Sequence, residues 1–384
     1  MFSLFSSRPI ARVVALFRHI DWLLFGASLL LVGAGLLTMN SFVGENYFFE
    51  KQLVWVGVAV ATFFILSLFD WSFLRRTGVI TGLFMGMVTT LFLIYVVGEV
   101  ALGAQSRFDL GAFAIQPADP AKLVLILLLA KYFSRRHIEI VQFRHLLVSG
   151  LYAGALFLLI LLQPDFGSAV IIFTIWFGMV LISGISKKHL AALFLLGAVA
   201  GAGLWGYVFE DYQKERVITF LNPLADLQGG GYNAYQSMVA VGSGQLMGKG
   251  VGYGTQSKLQ FLPEYETDFI FAAFAEEWGF FGVLILFLLF GIVIWRILKN
   301  ALYGATNFEI LYGAGLAVLF MSHIAIHVGI NIGLLPVTGT TIPFLSYGGS
   351  HLVTEFAGLG ILMGMRKYRR AVHRDDTHHE FLGI

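Results

Sequence analysis

The segment QFLPEYETDFIFAAFAEEWG, residues 260–279, sets ionisable side chains against an apolar run. Pro263 breaks any preceding helix, Thr267 is spaced to cap a new one, and Asp268 then falls in the first turn, where the helix dipole favours a carboxylate. Such a placement offers the chemistry of a fixed negative charge at the edge of an apolar phase. The plainer alternative is that Asp268 only helps to start the helix. Two shorter stretches repeat the theme. IQPADPAK (residues 115–122) and LQPDFGSA (residues 162–169) each interrupt an apolar pattern with Gln-Pro and follow it with a carboxylate. Asp119 and Asp165 are thereby expected at helix ends that face a cavity rather than lipid. Asp119 and Lys122 are three apart, on one helix face, so a mutual ion pair and a ligand-binding role are both consistent with the spacing.

The elements that must position these groups are read from the hydropathy. The chain has 384 residues, 58% of them hydrophobic and 12% charged, and its mean hydropathy is +0.80. That is too little polar surface for a soluble globule of this size, and it predicts an all-α polytopic membrane protein. Apolar runs near 22–39, 52–69, 78–98, 119–134, 145–163, 168–186, 189–208, 269–295, 308–330 and 351–366 predict ten spans in a single integral membrane domain. The run after Arg18 is read as a retained first helix, and residues 1–20 as a basic amphipathic segment on the membrane surface.

Placing both termini in the cytoplasm puts 18 of the 25 Lys and Arg residues on that side, so the 367–384 tail is cytoplasmic and the large 209–268 loop, between the seventh and eighth spans, lies outside. The other seven basic residues, Lys122 and Arg216 among them, fall on the outer side. So do Asp109, Asp119, Asp165, Asp211, Asp226, Glu264, Glu266 and Asp268, which predicts polar chemistry on the outer face. A net charge of +2 gives no reason to expect a nucleic-acid partner, and the absence of cysteine excludes disulfides and thiolate metal sites.

Other features are less specific. The outer loop carries a Gly-Gly-Gly run and GKGVGYG, but lacks the spacing and strand-to-helix context of a P-loop, so no nucleotide site is assigned. The apolar segment around Met238–Val241 is expected to lie flat on the membrane or re-enter it, and Asn331–Leu352 to form a second outer loop. Glu276 and Glu277, two turns into a span, are candidates to pair with Lys122 or His323, in a structural more than a catalytic role. His323 and His327, four apart, suit a metal pair, but hydrogen-bonded packing is the preferred reading.

The motifs QPADPAK, QPDFGSA, GKGVGYGTQSKLQFLPEYETDFIFAAFAEEWG and GLLPVTGTTIPFLSYGGSHL, in that order across nearly the whole chain, resemble the SEDS family of bacterial envelope proteins, its RodA branch more than its FtsW branch. The resemblance implies a peptidoglycan glycosyltransferase that polymerises lipid II into glycan strands on the outer face of the cytoplasmic membrane, beside a class B penicillin-binding protein. It implies Asp268 as the catalytic residue, with Asp119, Lys122, Asp165, Arg216 and Glu264 binding substrate. Departures from the family pattern are Asp119, where Glu is usual, with Pro120 after it, Ser106 and Arg107 in place of Arg-Trp, and His327 in place of Asn.

In the implied reaction a sugar 4-hydroxyl attacks the anomeric carbon of a lipid pyrophosphate donor. Asp268 would serve as general base, or hold a magnesium or manganese ion with a neighbouring carboxylate. Lys122 and Arg216 would face the developing pyrophosphate charge. A lipid flippase and a non-catalytic scaffold for the penicillin-binding protein are the rival readings. A flippase needs polar groups through the bilayer centre, and a scaffold has no need of Asp268 beside Lys122 and Asp165.

Overall fold

The computed structural model describes residues 17–41, 47–97, 108–109, 114–135, 143–207, 214, 220, 230–259, 261–262, 264–304 and 306–379. Twelve helices run through them: α1 (Trp22–Asn40), α2 (Tyr47–Leu68), α3 (Thr77–Val97), α4 (Ala118–Ser134), α5 (Phe143–Leu161), α6 (Phe166–Ile182), α7 (Lys187–Tyr207), α8 (Gly230–Ser243), α9 (Thr255–Lys258), α10 (Ile270–Leu302), α11 (Asn307–Asn331) and α12 (Gly349–His379). A single 3-10 turn, Trp71–Arg75, precedes α3, and a two-residue antiparallel pairing of Phe108–Asp109 (β1) with Ala114–Ile115 (β2) precedes α4. Each of the ten apolar runs falls on a helix. Seven of these, α1, α2, α3, α5, α7, α10 and α11, are long and apolar enough to cross a membrane, and α6 is a shorter apolar helix.

Helix α11 is the post around which the others stand. It packs against α4, α6, α8, α10 and α12, and most of its residues are buried, as in a helix enclosed by helices. Hydrophobic burial gives no net attraction between helices in lipid, so close approach through small residues matters more. A Cβ on Gly178 of α6 would lie 2.6 Å from Val318 of α11, and one on Gly360 of α12 would lie 2.8 Å from the Phe63 carbonyl of α2. At that second crossing Phe25, Phe63, Phe64 and Phe356 stack edge to face. Helix α7, by contrast, buries none of its described residues and leaves its apolar surface for lipid.

Two features beyond the sequence reading concern the long loop before α10 and α10 itself. Met238–Val241 lies inside α8, which packs on α10 and α11, with the Ser237 hydroxyl donating to the Asn331 carbonyl at 2.9 Å. Helix α10 is not one unbroken rod. Gly279 adopts φ 65°, ψ −168°, and the 244–250 segment enters the break. Phe280 and Phe281 N–H donate to the Gln245 and Leu246 carbonyls, at 2.9 and 3.1 Å, while Lys249 and Gly250 N–H donate to the Glu276 and Glu277 carbonyls. The loop thus takes up backbone groups that the interrupted helix leaves free.

Candidate functional site

The Asp268 carboxylate is positioned by backbone. Thr267, Asp268 and Phe269 all donate their N–H groups to the carbonyl of Glu264, at 3.2, 3.0 and 3.2 Å. This turns the chain so tightly that Glu264 itself sits at φ 47°. The carbonyls of residues 266, 267 and 268 are then tied across to the end of α11 and the segment before α12. Glu266 accepts from Tyr347 N–H at 2.9 Å, Thr267 from the Ser346 hydroxyl at 2.9 Å, and Asp268 from the Asn331 amide at 3.0 Å. Asp268 emerges half-buried from this turn. It is not in the first helical turn, as its sequence suggested, because α10 starts at Ile270 and Thr267 provides no side-chain cap. The closed turn has replaced the cap. A Cβ on Gly339, which adopts φ 71°, would stand 3.6 Å from the Asp268 Oδ2.

The same Gly339 segment crosses the start of α6. A Cβ on Gly167 would meet the Thr338 carbonyl at 2.6 Å and the Thr340 methyl at 2.7 Å. Beside Gly167, Asp165 accepts Ser168 N–H at 3.0 Å as the helix cap and the Gln116 side-chain amide at 2.8 Å. The two Gln-Pro motifs are therefore bonded to each other, and the carboxylate expected to bind substrate is already holding protein.

Behind this surface lies a buried ionic row. Lys122 Nζ sits 3.1 Å from the Asp119 Oδ1, and each of the two side chains is about 95% buried. The pair anticipated from their spacing is real. The His351 Nδ1 approaches the same oxygen at 3.3 Å, and its Nε2 lies 2.9 Å from Glu355 Oε1. With His323, Leu319, Phe320 and Thr354 these four line a cavity of about 10 Å³, space on the order of one water. His351 and Glu355 escaped the sequence reading. The signal was present, as two ionisable residues four apart in an otherwise apolar run.

The remaining candidates resolve differently. Glu276 and Glu277 pair with neither Lys122 nor His323. Glu276 Oε1 lies 2.6 Å from Lys249 Nζ and accepts Thr255 N–H at 2.8 Å, and Glu277 accepts from the Ser41 hydroxyl and from Gly252 N–H. Both fasten the 249–255 segment to α10. His323 and His327 turn Nδ1 to the Thr341 and Thr340 carbonyls, at 3.0 and 2.6 Å. A carbonyl only accepts, so each Nδ1 carries the proton. Glu264 is exposed and organises the turn through its backbone. Glu266 is buried, and that burial, with the Glu264 charge adding to it, raises its carboxyl above the ordinary 4.5 against an opposing backbone hydrogen bond. Arg216, Ser106, Arg107 and Asp211 lie outside the described residues. Among the described residues no group of three or more His, Asp or Glu side chains is arranged to hold a metal ion.

Comparison with known proteins agrees with this picture. The model of the FtsW/RodA/SpoVE family, described as cell cycle protein, matches residues 14–371. Stage V sporulation protein E of Bacillus subtilis (strain 168) is 38% identical over 365 residues, which are 91% of this chain and 98% of the relative. Peptidoglycan glycosyltransferase MrdB of Escherichia coli (strain K12) is 37% identical over 280 residues, 72% of this chain and 75% of the relative. A solved chain described under the structural coordination of polymerization and crosslinking by a peptidoglycan synthase complex superposes with a TM-score of 0.79 at 30% identity, covering 91% of this chain and 98% of that one. The rod shape determining protein RodA of Thermus thermophilus superposes with a TM-score of 0.68 at 28% identity, covering 91% and 97%. A multi-pass bacterial membrane protein matched over this length by sequence and fold, the chain belongs to the FtsW/RodA/SpoVE family, the SEDS family that its motifs resemble.

Proposed function

We propose that this chain is a peptidoglycan glycosyltransferase that polymerises lipid II into glycan strands for cell wall elongation and cell shape. In this reading it works on the outer face of the cytoplasmic membrane, with both termini inside and a class B penicillin-binding protein as partner. Family membership, the name of the MrdB relative and the likeness to a chain of a peptidoglycan synthase complex support it. The observation that carries the mechanism is the turn around Asp268, tied at three successive carbonyls to the 331–348 region.

The acceptor's 4-hydroxyl attacks the donor's anomeric carbon, and the bond from that carbon to the lipid pyrophosphate oxygen breaks. A sugar hydroxyl is a weak nucleophile, so Asp268 takes its proton as the new bond forms. Its advantage lies in fixed placement more than in basicity. The leaving pyrophosphate gains negative charge, which Lys122, steadied by Asp119, and Arg216 on the long loop would stabilise. Asp165 and Glu264 serve by shaping the site around the substrate. A magnesium or manganese ion, in this reading, comes with the pyrophosphate rather than residing on the protein.

The test is lipid II polymerisation by the purified chain with its partner. Asp268→Ala and Asp268→Asn should lower the rate by roughly 10² to 10⁴-fold without moving the unfolding temperature, while a partner lacking transpeptidase activity still permits strand formation. Chelation should slow the parent reaction and leave its unfolding unchanged. An Asp268→Ala protein that polymerises at the parent rate would put lipid flipping or scaffolding in place of catalysis.

A further inference from the structure

His351 stands between two buried carboxylates. Its Nδ1 is 3.3 Å from Asp119 Oδ1 and its Nε2 is 2.9 Å from Glu355 Oε1, with 11% of the side chain exposed and no more than 5% of either carboxylate. A neutral imidazole has one N–H and one lone pair, so one of these approaches would set a lone pair against a carboxylate oxygen. Protonated on both nitrogens, the ring attracts both. The Glu355 approach lacks hydrogen-bond angles, so the attraction there is coulombic, and the other Glu355 oxygen accepts Phe344 N–H at 3.0 Å.

Counting charge leads to the same state. Asp119 and Glu355 bring two negative charges into a space where Lys122 brings one positive charge. A buried charge left unbalanced is expensive, and an imidazolium closes the balance. Among the described residues two further titratable groups act on it, both on α11: His323, with ring centroids 4.8 Å apart, and His327. His323 gives its Nδ1 proton to the Thr341 carbonyl, and a second cation there would face both His351 and Lys122.

The row Lys122, Asp119, His351, Glu355 thus alternates in sign and ties the first turn of α4 to the first turns of α12. Asp119 Oδ1 is the shared atom, 3.1 Å from the lysine and 3.3 Å from the histidine. Next to it Ser350 brackets the Gln116 backbone, accepting its N–H at 3.2 Å and facing its carbonyl at 3.4 Å. We propose that His351 is a positioning residue of the polymerase: as an imidazolium compensated by Glu355, it fixes Asp119 and through it the orientation of Lys122. The proposal rests on the reading of Lys122 as a cation that serves the donor's pyrophosphate.

The experiment has two parts on the full-length protein. In the first, ring ¹⁵N spectra of histidine-labelled protein in nanodiscs, taken at mildly alkaline pH, should show an imidazolium signal that disappears in His351→Gln. A neutral His351 overturns the proposal. In the second, lipid II polymerisation is compared for the parent, His351→Gln, Glu355→Gln, the double variant and Lys122→Met. His351→Gln leaves an unpaired buried carboxylate, and its kcat/KM should fall on the order of 10-fold or more. Glu355→Gln removes the opposite charge; the double variant, balanced again, should regain the parent's unfolding temperature but keep the kcat/KM loss of His351→Gln, because Asp119 still lacks its imidazolium partner. A double variant that polymerises at the parent rate overturns the positioning role, because charge balance without His351 would then suffice. Lys122→Met active at the parent rate would overturn the reading of Lys122 and the positioning role with it, leaving the charge of His351 to be judged on the spectra alone.

Discussion

Asp165 shows how the identity of a side chain can be legible when its task is not. A carboxylate after Gln-Pro at the edge of an apolar run was readable as a helix-end acid, and it caps α6 by accepting Ser168 N–H. Its second bond, from Gln116, joins residues 49 apart in the chain, and no local pattern announces that. Asp165→Ala removes a cap and a partly buried hydrogen bond, and should cost roughly 1–3 kcal/mol, measured by thermal unfolding. Asp165→Asn can still cap and should recover most of that loss. Glu266 gives a pH-dependent counterpart. Burial raises its carboxyl above the ordinary 4.5, so its contribution to stability is fully present below that value and is lost as pH rises through the elevated folded value. Glu266→Gln should therefore unfold at a higher temperature than the parent at neutral pH, and the difference should vanish below about pH 4.5. A difference that persists in acid would assign the effect to packing instead.

At the scale of elements, the helices beneath the apolar runs were legible because a long apolar stretch admits few other structures in lipid. The break in α10 was not legible. A lone glycine within a strongly apolar run reads as a tolerated helical residue, and its meaning comes from a loop some 30 residues upstream that fills the break. The same loop explains Glu276, buried in a span yet bonded to Lys249 and to the N–H groups of Thr255 and Gln256. Gly279→Ala tests the whole device. A Cβ there would lie 2.1 Å from Gly248 N, on a residue whose φ of 65° already disfavours a side chain. The clash is with backbone, so the loop must move. The expected result is destabilisation of about 3 kcal/mol or more, accompanied by loss of polymerisation, because the displaced loop is anchored to α10 at Glu276, Glu277, Phe280 and Phe281, on the helix that begins beside Asp268. Proteolysis of the 244–258 segment in the folded variant reports the displacement directly.

Across the whole molecule, α1 and α10 run antiparallel and are tied at both ends. Ser41 meets Glu277 at one end, and Asp21 meets Arg296 and Asn300 at the other. Twenty residues separate Asp21 from Ser41 and nineteen separate Glu277 from Arg296, about 30 Å each at 1.5 Å per residue, close to the apolar thickness of a bilayer. The Asp21 end is the stronger knot. Its carboxylate is nearly fully buried, caps α1 through Leu24 N–H, sits 2.5 Å from the Arg296 guanidinium, and has Arg366 of α12 at 3.6 Å. Burial alone would raise the Asp21 carboxyl, but its bonds to Arg296, Asn300 and Leu24 together outweigh that and hold it below 3.8. Its stabilisation is therefore present above that value and lost as pH falls through the lower folded value. Arg296→Met leaves Asp21 buried with its bonds to Asn300 and Leu24 but with the more distant Arg366 as countercharge, and the expected loss is about 3–5 kcal/mol. Asp21→Asn, which removes the charge and keeps the shape, should cost less. Combining the two should cost less than Arg296→Met alone, because no buried carboxylate then remains to be compensated. Thermal unfolding across the acid range separates the alternatives. If the tie is electrostatic, the parent and Arg296→Met converge as Asp21 protonates. If the gap between them stays constant down to strong acid, the arginine stabilises this end of the bundle by packing its stem, and the charge is incidental.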